Sequence, residues 1–247
     1  SLAGRARELG VSILLGVRAT AIRTEGGRVT GVETSTGFIS TPTVVLAAGA
    51  WSTPLARTAG LELPVTGMLL SAGILERPAG LEESHLACID ASQGIYFRPD
   101  TGKLTIAGLS SVVDRRESPK DLDPDRFTTE PPLDWTVRTG TRMANRIPGM
   151  IDAGWQRAWS GVDGNTPDGH AILDRAPGVE GLYLAVGMSG TGFKTAPAVG
   201  ICMAELITEG AARTVDIVPF SLSRFSLSLS RFSLSRFSLW MFCLWMF

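Results

Sequence analysis

A glycine-rich loop between an apolar run and a helical run is the part of this chain best suited to chemistry. It lies in GLYLAVGMSGTGFKTAPAVG, residues 181–200, which reads as strand, loop, helix. Gly187, Gly190 and Gly192 let the backbone come close to a ligand. The helix that follows aims its unpaired N–H groups and positive dipole end at the loop, where an anion or a developing negative charge is stabilised. Three familiar patterns nearly fit, and each misses. GxxxxGK[ST] is broken by Phe193, which separates Gly192 from Lys194-Thr195. GxGxxG finds Gly190-Thr191-Gly192 but then Thr195. GxSxG finds Gly187-Met188-Ser189-Gly190 but then Thr191. Asp168 and His170 are the partners a nucleophilic Ser189 would need, and a plain glycine-rich connection is the competing reading.

Two further stretches carry weaker signals. VVLAAGAWS, residues 44–52, ends a strand in small residues that leave room for a cofactor or simply make an αβ connection. WSGVDGNTPDGHAILD, residues 159–174, is dense in turn residues and reads alone as a loop. Tyr96 and Arg98 alternate onto one face of a strand, either lining a pocket or covering a half-exposed sheet. Lys194 sits in the first turn of its helix, where the dipole disfavours a cation. That placement favours a functional role over a solvated lysine.

The elements that must position these residues follow from pattern. Residues 1–10 read as an amphipathic helix closed by Gly10, and VSILLG, residues 11–16, as a short buried strand. Three strand-like runs follow to residue 49, with a hairpin at Glu25-Gly26-Gly27 and a turn at Ser35-Thr36-Gly37. Residues 64–118 read as an antiparallel sheet, and Leu133–Arg146 as a helix stopped before Pro148. Residues 155–187 return to strands, and Thr195–Glu209 form a helix capped by Gly210. The fold class is α/β (α+β), an incomplete Rossmann-like lobe joined to an antiparallel-sheet lobe. The expected division is 1–63 in the first lobe, 64–150 in the sheet lobe, 151–220 back in the first lobe, and 221–247 a low-complexity, non-native tail.

Composition narrows the function. The 247 residues carry 23 Lys+Arg against 24 Asp+Glu, a net charge of −1 that argues against a nucleic-acid binder. Three unspaced cysteines exclude a disulfide scaffold and a CxxC zinc site. His85 and His170 are too few and too distant for a His-rich metal centre, so no metal is expected. No apolar run is long enough to span a membrane, and a membrane association is not expected.

Taken together and in order, the strand pair before VVLAAGAWS, the YFRPDTGKLTIAG strand, the TPDGHAILD loop and GMSGTGFK resemble the D-amino-acid oxidase/sarcosine oxidase family of FAD-dependent amine oxidoreductases. The branch they look most like is the sarcosine oxidase β-subunit and dimethylglycine dehydrogenase. The resemblance covers residues 1–225, with VDIVPFSLSRF as its ending. It implies FAD across a Rossmann-like lobe and an antiparallel sheet roofing a pocket for a small amino-acid substrate. Hydride would pass from the amine-bearing carbon to flavin N5. The cofactor would meet Ala19, Gly49, Ala50, Trp51 and the loop Gly187, Met188, Ser189, Gly190, Thr191, Gly192, Phe193 and Lys194. Lys194 would also hold the substrate carboxylate, with Tyr96 and Arg98 at the roof. A cytoplasmic enzyme is expected, able to form a hetero-oligomer with electron-accepting subunits.

Departures from the family pattern sharpen these expectations. Gly161 stands where the family carries its flavin-linking cysteine, so FAD would be non-covalent. Asp163 stands where the glycine oxidase branch has a carboxylate-binding arginine. Thr105 stands near the oxygen-activating lysine of monomeric sarcosine oxidase, with Lys103 two residues away, which leaves oxidase and dehydrogenase both open. The family's opening GxGxxG is missing from residues 1–40. The alternative is therefore a truncated, catalytically silent chain, or an interaction subunit that needs a partner to complete the FAD site.

Overall fold

The computed structural model describes residues 1–81, 83, 85–109 and 122–229. Helix α1 (Leu2–Glu8) opens the chain, with the Ser1 hydroxyl accepting from Gly4 N–H as its N-cap. Strands β1 (Ala19–Glu25), β2 (Arg28–Thr34) and β3 (Gly37–Ser40) form an antiparallel meander. Its first turn is Gly26-Gly27 at φ 56° and 78°, the left-handed pair a two-residue hairpin requires.

The meander lies on one face of a second sheet. That sheet has the order β10 (Ile172–Arg175), β11 (Leu182–Val186), β4 (Val44–Leu46), with β11 and β4 parallel. Ile22 and Val29 of the meander pack with Leu46, Leu182, Leu184 and Val186 in a common core, which α2 (Ser52–Thr58) joins through Ala56. The opposite face buries Leu173 and Ala185 against Met203 and Leu206 of α4 (Gly192–Glu209). Gly210 at φ 90° ends that helix.

The other lobe is a five-stranded antiparallel sheet of β5 (Thr66–Glu76), β6 (Cys88–Asp90), β7 (Ile95–Pro99), β8 (Leu104–Leu109) and β9 (Gly154–Asn165). Strand residues alternate between faces. Leu75, Ile95, Phe97 and Ala107 turn to one face and bury Met143 of α3 (Leu133–Arg146). The extended Ile147 before Pro148 stops that helix as the sequence predicts.

The structure differs from the sequence reading in three places. Residues 11–16 form no strand. Among the described residues no strand runs beside them, and Val11, Leu14 and Leu15 are exposed. The expected return to the first lobe at 151 comes later, because β9 pairs with β5 from Gly154 opposite Glu76 through Asn165 opposite Thr66. The expected tail at 221 begins with residues that the fold holds. Leu222 is buried, its N–H and the Ser221 hydroxyl donate to Asp174 Oδ2, and Arg224 bridges Asp168 at 2.8 Å. Residues 230–247 lie outside the described residues, as does the 110–118 part of the expected sheet segment.

Candidate cofactor and substrate site

Three segments far apart in sequence meet at the head of α4. Beyond Val186 the chain turns through Gly187, Met188, Ser189 and Gly190, with φ of 66° at Gly187, 53° at Ser189 and 84° at Gly190. Ser189 N–H donates to Gly164 O at 3.1 Å, which ties the loop to the end of β9. Gly164 in turn lies on the Gly49–Trp51 segment: a Cβ there would stand 2.8 Å from the Gly49 carbonyl. The second contact needs a residue without a side chain at 164, which accounts for that glycine.

Ser189 holds this junction together and is not set up as a nucleophile. Its buried hydroxyl donates to Gly187 O at 3.0 Å and accepts from Thr166 N–H at 3.2 Å. Of the two expected partners, Asp168 is engaged elsewhere. Asp168 accepts from His170 N–H and from Arg224, and the Thr166 hydroxyl lies 3.0 Å from it. Burial pushes the Asp168 carboxyl up, but Arg224, His170 N–H and Thr166 outweigh it and hold it below the usual carboxylate range.

The junction borders three concave spaces. One of about 350 Å³ lies between β4, β11 and α4; Gly49, Gly187, Met188, Gly192 and Asp163 are among its walls. Thr191, the α4 N-cap, makes no capping side-chain bond, because its hydroxyl donates to Met188 O at 2.6 Å. No acidic residue stands in the first turn, so the helix presents uncompensated N–H groups there. A second space, of about 740 Å³, is lined by Ala19, Ala48, Trp51, Arg18 and Asp125. Ala48 and its neighbours Ala47 and Gly49 face different spaces, so this short segment divides them. A third, of about 250 Å³, lies on the sheet face turned away from α3 and includes Leu70, Ala72, Tyr96, Trp159, Gly161 and Asp163.

The expected site residues fall into distinct groups. Gly49, Gly187, Met188 and Gly192 share the first space, Ala19 and Trp51 the second, and Tyr96 lines the third. Ala50 is buried at the junction, and Gly190 and Thr191 complete the loop. Phe193 is fully exposed, and Lys194 beside it in the first turn of α4 is exposed too. Arg98 shares its strand face with Tyr96 but turns outward, donating to Pro99 O and lying 3.7 Å from Asp100. Thr105 faces the α3 side, buried beneath Arg77 and His85, so it lines none of these spaces; Lys103 is exposed just before β8.

Sequence reasoning missed two features. Arg18 holds Asp125 through both guanidinium nitrogens at 2.8 and 2.7 Å, and Trp51 Nε1–H donates to the same carboxylate at 3.0 Å. Hydrogen bonds from Arg18 and then Trp51 pull the Asp125 pKa down to about 2. No local pattern signals this contact, which spans 107 positions. The second is the row Trp159, Gly161, Asp163 and Asn165 on one face of β9. Its period of two follows from the strand expected over 155–187, but the shared face was not drawn from it.

A family model described as FAD dependent oxidoreductase matches residues 1–206. The chain is 34% identical over 208 residues to sarcosine oxidase subunit beta of Rhizobium meliloti (strain 1021), covering 82% of this chain and 45% of that protein. It is 30% identical over 221 residues to hydrogen cyanide synthase subunit HcnC of Pseudomonas protegens, covering 89% and 49%. The chain thus spans about half the length of the curated relatives it matches. Among solved structures, L-proline dehydrogenase from P. horikoshii superposes with a TM-score of 0.79 at 25% identity, covering 91% of this chain and 58% of that one. Glycine oxidase from Geobacillus kaustophilus gives 0.75 at 26%, covering 90% and 56%. The match across residues 1–206, on a fold whose glycine-rich junction borders both lobes, establishes that the chain belongs to the FAD-dependent oxidoreductase family.

Proposed function

We propose that this chain forms the flavin-ring and substrate side of an FAD-dependent oxidoreductase acting on CH–NH or CH–NH2 donors, with the cofactor held non-covalently. The carrying observation is the meeting of Gly49, Gly164 and Gly187 at the uncapped head of α4, beside a space walled by small residues. Bare backbone and unpaired N–H groups suit a flat ring whose edge gains negative charge. FAD, when bound, supplies the hydride acceptor for the amine-bearing carbon. The residues supply the rest. In this reading the backbone of Gly49, Ala50, Trp51 and the loop from Gly187 to Phe193 lies against the cofactor. The first-turn N–H groups of α4 stabilise the charged edge, and Ala19 borders the far end. Gly161 offers no thiol for a covalent link.

Lys194 is assigned to the substrate carboxylate, with its exposed ammonium at the head of α4. Tyr96, rather than Arg98, supplies the contact of β7 with the substrate space. An amino-acid amine is the substrate class we favour. Two relatives are named as subunits, which supports a hetero-oligomer that passes electrons onward. The free thiols of Cys88 and Cys202 accord with a cytoplasmic protein.

The test is to titrate the purified chain with FAD and follow flavin fluorescence and absorbance. Saturable quenching at one flavin per chain, and anaerobic bleaching by an N-methyl amino acid, are expected. Flavin fluorescence left unchanged both by this chain and by one extended to include a strand–GxGxxG–helix segment would falsify the cofactor assignment.

A further inference from the structure

We propose that Asp125 is a positioning residue for the flavin site: it fixes the Trp51 indole and, through it, the Gly49–Trp51 turn that lies against the cofactor. The inference rests on the cofactor reading given above. Asp125 touches none of the reacting groups in that reading and acts through Trp51.

Three segments meet at this carboxylate. Asp125 belongs to a stretch that the sheet lobe holds on either side. The Leu122 carbonyl would stand 3.4 Å from a Cβ on Gly67 of β5, and Thr129 O accepts from Ser160 N–H of β9 at 2.7 Å. Between them Asp125 N–H donates to Asp123 Oδ1 at 2.9 Å, which fixes the local turn. Arg18 comes from the approach to β1, and its backbone is tied as well. Its N–H donates to Ser35 Oγ at 3.1 Å, and its carbonyl accepts from Ser35 N–H at 2.8 Å. Both partners of the ion pair are therefore anchored through main chain, one in each lobe.

Trp51 needs such a hold. Its side of the turn is 36% exposed, so packing alone leaves more than one rotamer open to the ring. The Nε1–H bond to Asp125 Oδ1 at 3.0 Å selects one. Arg18 takes both carboxylate oxygens, at 2.7 and 2.8 Å. It lowers the Asp125 pKa, with Trp51, to about 2, so the indole meets an ionised acceptor at every pH near neutrality. The effect passes along the backbone. Trp51 N–H donates to Ala48 O at 2.9 Å and closes the turn, and Gly49 of that turn walls the space at the head of α4. Carboxylate, indole and turn are thus joined by short contacts to the place assigned to the ring.

The test combines flavin titration with proton–nitrogen NMR of the indole groups. Asp125→Ala should move the Trp51 indole N–H signal, which is identified by its loss in Trp51→Phe. It should also weaken FAD about fivefold, the scale of one hydrogen bond. Its melting temperature should stay close to the wild type, because an exposed ion pair contributes little. Asp125→Asn keeps an oxygen for the indole and should recover the signal and most of the affinity. Trp51→Phe should weaken FAD by a similar factor, and adding Asp125→Ala to it should cost nothing more. An unmoved indole signal, independent losses in the double variant, or an Asn variant as weak as the Ala variant would each overturn the proposal. Equal FAD affinity in the wild type and Asp125→Ala overturns this inference alone. If neither this chain nor its extended form binds FAD, the cofactor reading falls and this inference falls with it.

Discussion

The two faces of the five-stranded sheet are made by the same strands and have opposite characters. Toward α3, Leu75, Ile95, Phe97 and Ala107 close over Met143 and Met150 in a fully buried core. Away from α3, Leu70, Ala72, Tyr96, Trp159 and Asp163 remain partly open and border a space. Alternation along each strand is the whole difference between them. One set of side chains supplies hydrophobic stabilisation, and its neighbours, one residue away, line a concave space. Changes on one face should therefore register in stability and changes on the other in binding.

The largest expected effect tests the closed face. Met143→Ala removes a fully buried side chain and should cost about 3 kcal/mol in denaturant unfolding, within the range for such cavities. Its affinity for FAD should stay within about twofold, and a larger change would show that the faces are coupled. Gly187→Ala tests the junction between the lobes. The new Cβ would sit 2.5 Å from Thr166 Cγ2, at a φ of 66°. Thr166 is buried and tied to Ser189, so it cannot yield freely. A loss of about 2 kcal/mol is expected, with flavin binding weakened alongside.

Lys194→Ala should leave the melting temperature unchanged, because the lysine is exposed. It should raise KM for carboxylate-bearing amines by about tenfold, the worth of one charge-assisted contact. Steady-state kinetics checks this, and an unchanged KM would remove the lysine from the site. The smallest effect concerns Asp125, whose pKa is lowered to about 2 by Arg18 and Trp51. A depressed carboxyl stabilises the fold above its unfolded value, about 4, and loses that contribution as the pH falls toward its folded value. The slight stability advantage of the wild type over Asp125→Asn should therefore be full at pH 6 and vanish between about pH 4 and 2. Thermal melts across that range measure it.

Much of the architecture was legible in the residues. Gly26-Gly27 fixed a hairpin, Pro148 fixed the end of α3, and Gly210 closed α4. The strand, glycine loop and helix around Gly187–Lys194 were readable too. Failures occurred where a pairing partner decided the outcome. VSILLG had the composition of a strand and, among the described residues, no neighbouring strand to bond. Residues 155–187 read as strands, and the turn-dense 159–174 read alone as a loop; the structure makes Gly154–Asn165 one strand, in which Gly164 serves close packing on Gly49 and Gly161 leaves open space.

The sequence by itself determined the elements, the family pattern and the glycine loop that heads α4. These depend on φ preferences, caps and periodicities that act within a few residues. Only the tertiary structure decided that Ser189 is a structural tie, that Arg98 turns outward, that Asp125 joins Arg18 and Trp51, and that Asp163 borders two spaces at once. Those outcomes depend on which groups from distant segments arrive within a hydrogen bond of one another, and that is set by strand register and lobe packing, which no local window of residues contains.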